Sequence, residues 1–253
     1  MKGFLQEYGV IMVVVAVVLG MLAFGKTGYA KSIQDAILGS ADHIVETGEN
    51  ITKKEIHVNS GDMLYIEGKE FIVLEGRENS QALVMTANKI DERVFQSKAR
   101  ADKQHMSTYE GSEIDNYLEN EWYNSLSSTM KEAIQLTNIK QDSYMTYDDP
   151  DSKQEMGPNG QVYNTISRHA FLPSVDEIGK AVDLKNSSKI KAFLNGTSIW
   201  TRTSYLGYDN VAWGLFYDSL RNNAVYYLYD VRPAFVIDLS RVDYNVTGHT
   251  DYK

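Results

Sequence analysis

Hydrophobic positions fall along this chain in three regimes. From Tyr8 to Gly25 the chain runs 18 positions without a charge, at about 1.5 Å per residue the lower limit for a helix that crosses a bilayer. Beyond it Ile33, Ala36, Ile37, Ala41, Ile44 and Val45 recur at helical spacing, so the apolar helix is expected to continue as a stalk to about Gly48. Past residue 52 the period shortens. "MLYIEGKEFIVLE" reads as two strands about a Glu-Gly-Lys turn and "ALVMTA" as a buried strand. After Ser112 the pattern turns helical: Ile114, Tyr117, Leu118 and Trp122 share a face behind a Ser112/Asp115 start signal, and Thr129 with Glu132 repeats that signal for a helix from Ser128 or Thr129. Residues 140–168 carry Pro, Gly, Asp and Ser without apolar period and are expected to form a long loop. Pro173, Ser174 and Glu177 then open another helix.

The last fifty residues return to strands. One opens at Trp200, and "WGLFYDSL" and "AVYYLY" flank Arg221-Asn222-Asn223 as an expected hairpin turn. In the final strand Val231, Pro233, Phe235, Ile237 and Leu239 alternate, which predicts one buried face, with Pro233 marking an edge or a bulge. The chain thus divides into a leader (1–8), a transmembrane or packed apolar helix (9–25), a stalk helix and linker (26–52), an α+β domain (53–240) and a polar tail (241–253).

Composition narrows the chemistry. Hydrophobic residues at 43% and charged residues at 23% suit a chain that buries a sizeable core. The net charge of −9 excludes nucleic acid as an expected partner, since phosphate binding needs a basic face. With no cysteine there are no disulfides, thiolate metal sites or cysteine nucleophiles. There is no Gly-x-Ser-x-Gly elbow, phosphate-cradling glycine loop or His-Glu-x-x-His, and His43, His57, His105, His169 and His249 stand singly. Asp148, Asp149, Asp151 and Glu155 offer oxygen ligands but lack the glycine and terminal Glu of a calcium loop. No metal, cofactor or catalytic residue is expected. Tyrosine is the outlier: 17, against 8 Phe and 3 Trp together. Tyr supplies rigid amphipathic contact area at low entropic cost, which recognition surfaces favour.

The N-terminal "GFLQEYG", followed by a Val/Ala/Ile run, resembles the start of a Flp-type (type IVb) prepilin. The resemblance implies processing after Gly3 and a Glu7 that pairs with a neighbour's terminal amine inside the apolar core of a filament, where an unpaired charge is costly. Three residues separate Gly3 from Glu7, against the family's usual four. A retained membrane anchor, and a cleaved signal with Gly28-Tyr29-Ala30 as its small-x-small site, are the other readings. All three export the rest of the chain.

The ordered set "FIVLE…ALVMT…SEIDNYLENEWYNSLS…FLPSVDEI…IWTRTS…VRPAFVIDL" resembles an uncharacterised bacterial domain family with a closing V-R-P-A strand, itself similar to the formylglycine-generating-enzyme-like branch of the C-type-lectin-like fold. Phe71 stands where the family often carries Trp, and Asp115-Asn116-Tyr117-Leu118-Glu119 replaces Arg-x-Trp-Leu-Asn. The resemblance implies a C-type-lectin-like mixed sheet with two or three helices over about residues 54–240. It implies no formylglycine-generating activity, which depends on paired cysteines. In that fold the segment ahead of the last core strand forms an exposed ligand face, and some members diversify it by adenine-directed mutagenesis. Tyr205, Tyr208, Asp209, Asn210, Tyr217, Asp218, Asn222, Asn223, Tyr226, Tyr227 and Tyr229 match that palette and are the expected ligand-binding residues. The expectation is therefore a non-enzymatic, adhesin-like bacterial surface protein that meets a protein or carbohydrate ligand, held by a membrane anchor or a pilus. The alternatives are a structural pilin, with Gly3 and Glu7 as assembly residues, and a secreted enzyme of unknown class.

Overall fold

A computed structural model describes residues 55–146, 154, 157, 160 and 162–253. The expected leader, apolar helix and stalk, with Gly3 and Glu7, and the acidic positions Asp148, Asp149, Asp151 and Glu155 lie outside the described residues. Among the described residues no helix is long and apolar enough to cross a membrane.

β1 (Asp62–Ile66), β2 (Lys69–Gly76) and β3 (Gln81–Thr86) form the expected antiparallel meander. Glu67 and Gly68 both take left-handed φ (47° and 81°), as a two-residue hairpin turn requires. Phe71–Leu74 of β2 and Ala82–Thr86 of β3 are buried without alternation, the mark of strands covered on both faces. With β5 (Ile134–Gln135), β13 (Ala234–Asp238) and β14 (Tyr244–His249) they make a six-stranded sheet in the order β14-β1-β2-β3-β13-β5. A second sheet runs β11-β10-β9-β12-β4, built from β4 (Asp91–Arg93), β9 (Ile199–Tyr205), β10 (Val211–Phe216), β11 (Ser219–Ala224) and β12 (Tyr229–Val231). β7 (Ser143–Tyr144) joins its strand β9 in parallel, and β6 (Thr137–Ile139) pairs β8 (Ile166–Arg168) apart. The fold is α+β, mostly sheet with few helices.

Among the described residues there are four α-helices, against an expected two or three, besides a 3-10 turn at Leu239–Arg241. α1 (Glu113–Asn116) continues through a π-helical Tyr117–Trp122 into a final tight turn, Tyr123–Ser125. Its cap is the predicted Ser112, whose hydroxyl accepts from Asp115 N (3.2 Å). The Asp115 carboxylate does not reach back to Ser112; it accepts from Gly111 N and from both sides of the Arg168 guanidinium (2.8 and 2.7 Å). α2 (Ser128–Ala133) is capped by Ser127, whose hydroxyl accepts from Met130 N. α3 (Val175–Ala181) carries the full Ser174/Glu177 capping box. α4 (Ser187–Leu194), which the apolar pattern did not announce, starts on Asn186 and ends on a left-handed Asn195.

Three further expectations are corrected. The hairpin between β10 and β11 turns at Tyr217-Asp218; Arg221, Asn222 and Asn223 sit inside β11, opposite Gly214, Trp213 and Ala212. Pro233 lies at neither an edge nor a bulge. It is the step where the chain leaves β12 in one sheet for β13 in the other, with β3 and β4 making the same crossing beside it. The missing N–H costs no ladder bond there, and Pro233 O accepts from Thr86 N. β13 is then buried on both faces from Ala234 to Ile237. Finally, residues 241–253 are not a free polar tail: β14 is the edge strand beside β1, and the last residues return to the domain through Thr250 N to Gly61 O and Asp183 N to Tyr252 O. Val242 and Tyr244 pack on the core, but Val246 beyond them is exposed, so the alternation is too short to read as a strand.

The core is aromatic. Phe71 meets Phe235 edge-on (5.5 Å), and Phe95 packs between Tyr109 and Trp200 (6.1 and 6.0 Å). Through this core runs one buried ion pair, Arg202 with Glu177 (2.6 and 2.7 Å); the guanidinium also donates to Lys140 O and Leu172 O, and Glu177 closes the α3 capping box. Four of the five guanidinium donors are thereby engaged, two of them in the bidentate fork on Glu177.

Candidate functional site

The expected recognition residues all belong to the second sheet and its loops, and they separate into two groups. The first sits in the β9–β10 loop. Tyr208 is exposed and stacks on the half-buried Tyr205 (5.9 Å, 16°), whose ring meets the buried Trp213 edge-on. Gly207 is required beneath it, since a Cβ there would enter the Tyr205 ring. Asp209 is exposed beside His105 (3.7 Å), while its carbonyl accepts from Ser107 N; Asn210 O accepts from Val225 N.

The second group surrounds the β10–β11 hairpin and the β11–β12 link. Tyr217 stands at the hairpin tip, 76% exposed, at φ 61°. Asp218 N donates back to Phe216 O (2.8 Å), closing a three-residue turn of the rare, strained kind centred on a positive φ. Ser198 Oγ accepts from Tyr217 N (3.2 Å), fixing the tip against the start of β9. Tyr226 and Tyr227 are about half exposed and lie against each other (5.1 Å). Tyr229 is half-buried: its ring packs on Phe216 (4.3 Å) and Trp200 (5.0 Å), and its hydroxyl accepts from Asn223 Nδ2 (2.6 Å). Burial raises the Tyr229 hydroxyl pKa, with neighbouring Tyr217 and Tyr227 adding to the rise and the Asn223 hydrogen bond opposing it. Tyr217, Tyr227, Tyr229 and Asn223 are thus one neighbourhood.

The platform beneath them has a steric reason. The Phe216 ring lies directly over Gly214, where a Cβ would collide with the ring and with Ile199 O. Glycine lets the ring lie flat against the sheet and present its edge to Trp200 (5.4 Å). Not every expected residue joins. Asn222 points from the opposite face of β11 to Asn223, by the two-residue alternation of a strand. Asp218 is half-buried and takes a hydrogen bond from Ser219.

Two contributors escaped the sequence reading. Leu228, between Tyr227 and Tyr229, is 60% exposed; its neighbours' aromatic character drew attention away from an apolar residue in a polar stretch. Ser198 acts only through Tyr217 and carries no sequence signal. Of the ten exposed large hydrophobic side chains among the described residues, five (Tyr208, Tyr217, Tyr226, Tyr227 and Leu228) fall within one stretch of the chain. Among the described residues no three His, Asp or Glu side chains converge in a metal-binding arrangement.

The architecture is that of an α+β domain of two sheets with a tyrosine-rich hairpin, β10–β11, at one edge of the second. Residues 79–239 match the domain of unknown function DUF6273, and the chain belongs to that family. No curated protein and no solved structure matches the chain.

Proposed function

We propose that this is a non-enzymatic bacterial surface protein whose C-type-lectin-like domain displays a recognition face, adhesin-like, from an N-terminal membrane anchor or pilus helix. The face consists of Tyr217, Tyr226, Tyr227 and Leu228 beside the Phe216/Tyr229 platform, which Asn223 braces through the Tyr229 hydroxyl, and of Tyr208 on Tyr205 in the β9–β10 loop, with Asp209 and Asn210 as polar contacts. Its ligand is a protein or a carbohydrate, since exposed phenols stack on either and the flanking amides and carboxylates hydrogen-bond to either.

The observation that carries the reading is Tyr217. A bulky residue is held at φ 61°, three-quarters exposed, at the tip of a hairpin where glycine or asparagine would sit without strain. Folding gains little from such a residue, and strain of this kind is retained where a side chain is needed for contact. The test uses the detergent-solubilised full chain on an array of glycans and extracellular proteins. The variant Tyr208→Ala/Tyr217→Ala/Tyr227→Ala is expected to lose the wild-type hits while its melting temperature stays within about 3 °C. Retained hits, or collapse of the fold, refute the recognition face.

The pilin reading rests on Gly3 and Glu7, and it predicts sheared fibres containing the protein. Mass spectrometry of the mature N-terminus separates an intact start, a Phe4 start and a Lys31 start.

A further inference from the structure

A pocket of about 300 Å³ is lined by Met63, Glu70 and Ile72 of the β1–β2 hairpin, by the C-terminal end of α4 and by Tyr252. A volume of this order suits a small molecule. Its floor is unusual because it contains Arg232, which is only 2% exposed. Arg232 Nε donates to Thr86 O (2.8 Å) and Nη1 to Phe193 O (3.0 Å), and the guanidinium lies over the Phe193 ring (4.6 Å). No carboxylate bonds to it, and Nη2 has no acceptor among the described residues. Burial lowers its pKa to about 9, with Tyr252 and Asp230 opposing the drop, so it is charged at neutral pH. The Phe193 carbonyl, at the negative end of α4, offsets part of that charge. A guanidinium this deep is costly without an anion to complete its fork.

The other polar groups on the pocket wall are equally uncommitted. Glu70 presents a carboxylate with no hydrogen bond or ion pair, and the side-chain amides of Asn88 and Asn195 have no partner, among the described residues. Between these groups Met63, Ile72 and Phe193 supply an apolar wall. A buried cation and an open carboxylate lining one small cavity select a molecule that carries both charges. An isolated anion would meet Glu70, and an isolated cation would meet Arg232. Two amides and an apolar strip then leave room for a compact remainder.

We infer that this pocket binds a free α-amino acid, its carboxylate on Arg232 and its ammonium on Glu70, with Asn88 and Asn195 completing the hydrogen bonds. Bidentate recognition of a carboxylate is what a guanidinium fork does best. The C-terminal segment forms part of the wall, held by Asp183 N to Tyr252 O and by the edge contact of Tyr252 with Phe193 (5.9 Å). Occupancy therefore tightens the chain end against α4.

Calorimetric titration of the detergent-solubilised full chain with glycine, L-alanine, L-leucine and L-glutamine tests this. At least one is expected to bind one-to-one with Kd at or below about 1 mM. N-acetyl-L-leucine and L-leucinamide, each lacking one charge, are expected to bind at least about tenfold more weakly than the parent amino acid. Arg232 also clamps two backbone carbonyls, so its substitution risks the fold; Glu70→Gln, at an exposed position, is the informative variant. It should weaken binding about tenfold with an unchanged melting temperature. No binding by any of the four, equal binding of the acetylated analogue, or unaltered affinity in Glu70→Gln overturns the inference. The triple tyrosine variant should bind the amino acid as the wild type does, so this site and the recognition face succeed or fail separately.

Discussion

Comparing Tyr217→Gly with Tyr217→Ala separates what the tip residue does for folding from what it does for contact. Both changes remove the phenol, which is 76% exposed, so both forfeit the same small burial. They differ in the backbone. An L-residue in the left-handed region costs roughly 1–2 kcal/mol, a cost alanine keeps and glycine does not. Glycine gives back roughly 0.5–1 kcal/mol through its greater loss of chain entropy on folding. The difference should favour glycine by about 0.7 kcal/mol. For a domain of this size that is about 2 °C in melting temperature. The assay is thermal and urea unfolding of the full chain and both variants in one detergent, alongside the array used to find the ligand. The expected result is Tyr217→Gly more stable than Tyr217→Ala, with ligand signal reduced in both. If Ala is as stable as Gly, the turn holds no strain at this residue and the argument that contact keeps Tyr217 in place collapses. If both retain full binding, the tip is not part of the face.

Two further outcomes test the scaffold. Glu177→Ala should destabilise by about 3–5 kcal/mol, because it leaves Arg202 buried without its carboxylate and opens the α3 capping box; Glu177→Leu combined with Arg202→Met should recover much of that in urea unfolding, and a double variant no better than the single one contradicts the account. Burial raises the Glu75 pKa, but Lys180 and Arg77 outweigh it and hold the carboxyl below its ordinary value. Its contribution is therefore present above the unfolded value of about 4.3 and is lost as the pH falls through the lower folded value. Glu75→Gln should be less stable than wild type at neutral pH, with the gap closing in urea unfolding as the pH falls below that range; a gap that widens in acid excludes the pairing.

The two sheets explain why stability is separable from the proposed recognition. Glu177–Arg202 and the Phe71/Phe235 contact tie strands and helix together from inside. The hairpin of β10 and β11 instead projects from the edge of the second sheet, where β11 has a partner on one side only. Residues at that edge answer to solvent rather than to packing, which is why a strained tyrosine is tolerated at its tip.

Wherever the physical signal is local, the sequence alone determined the outcome. The Ser112 and Ser174/Glu177 caps, the Glu67-Gly68 turn and the buried run of β3 follow from interactions spanning a few residues. Only the tertiary structure decided the rest. Pro233 reads as an edge residue until the chain is seen to change sheets there; Asn222 and Asn223 read as a turn until β11 pairs them with Trp213 and Ala212. β14 is a short segment that becomes a strand because β1 offers it a ladder. Arg232, Glu70 and Tyr252, far apart in the chain, share a pocket only after folding. Propensity and period report what a segment prefers in isolation, whereas sheet pairing and pocket walls are set by partners distant in sequence.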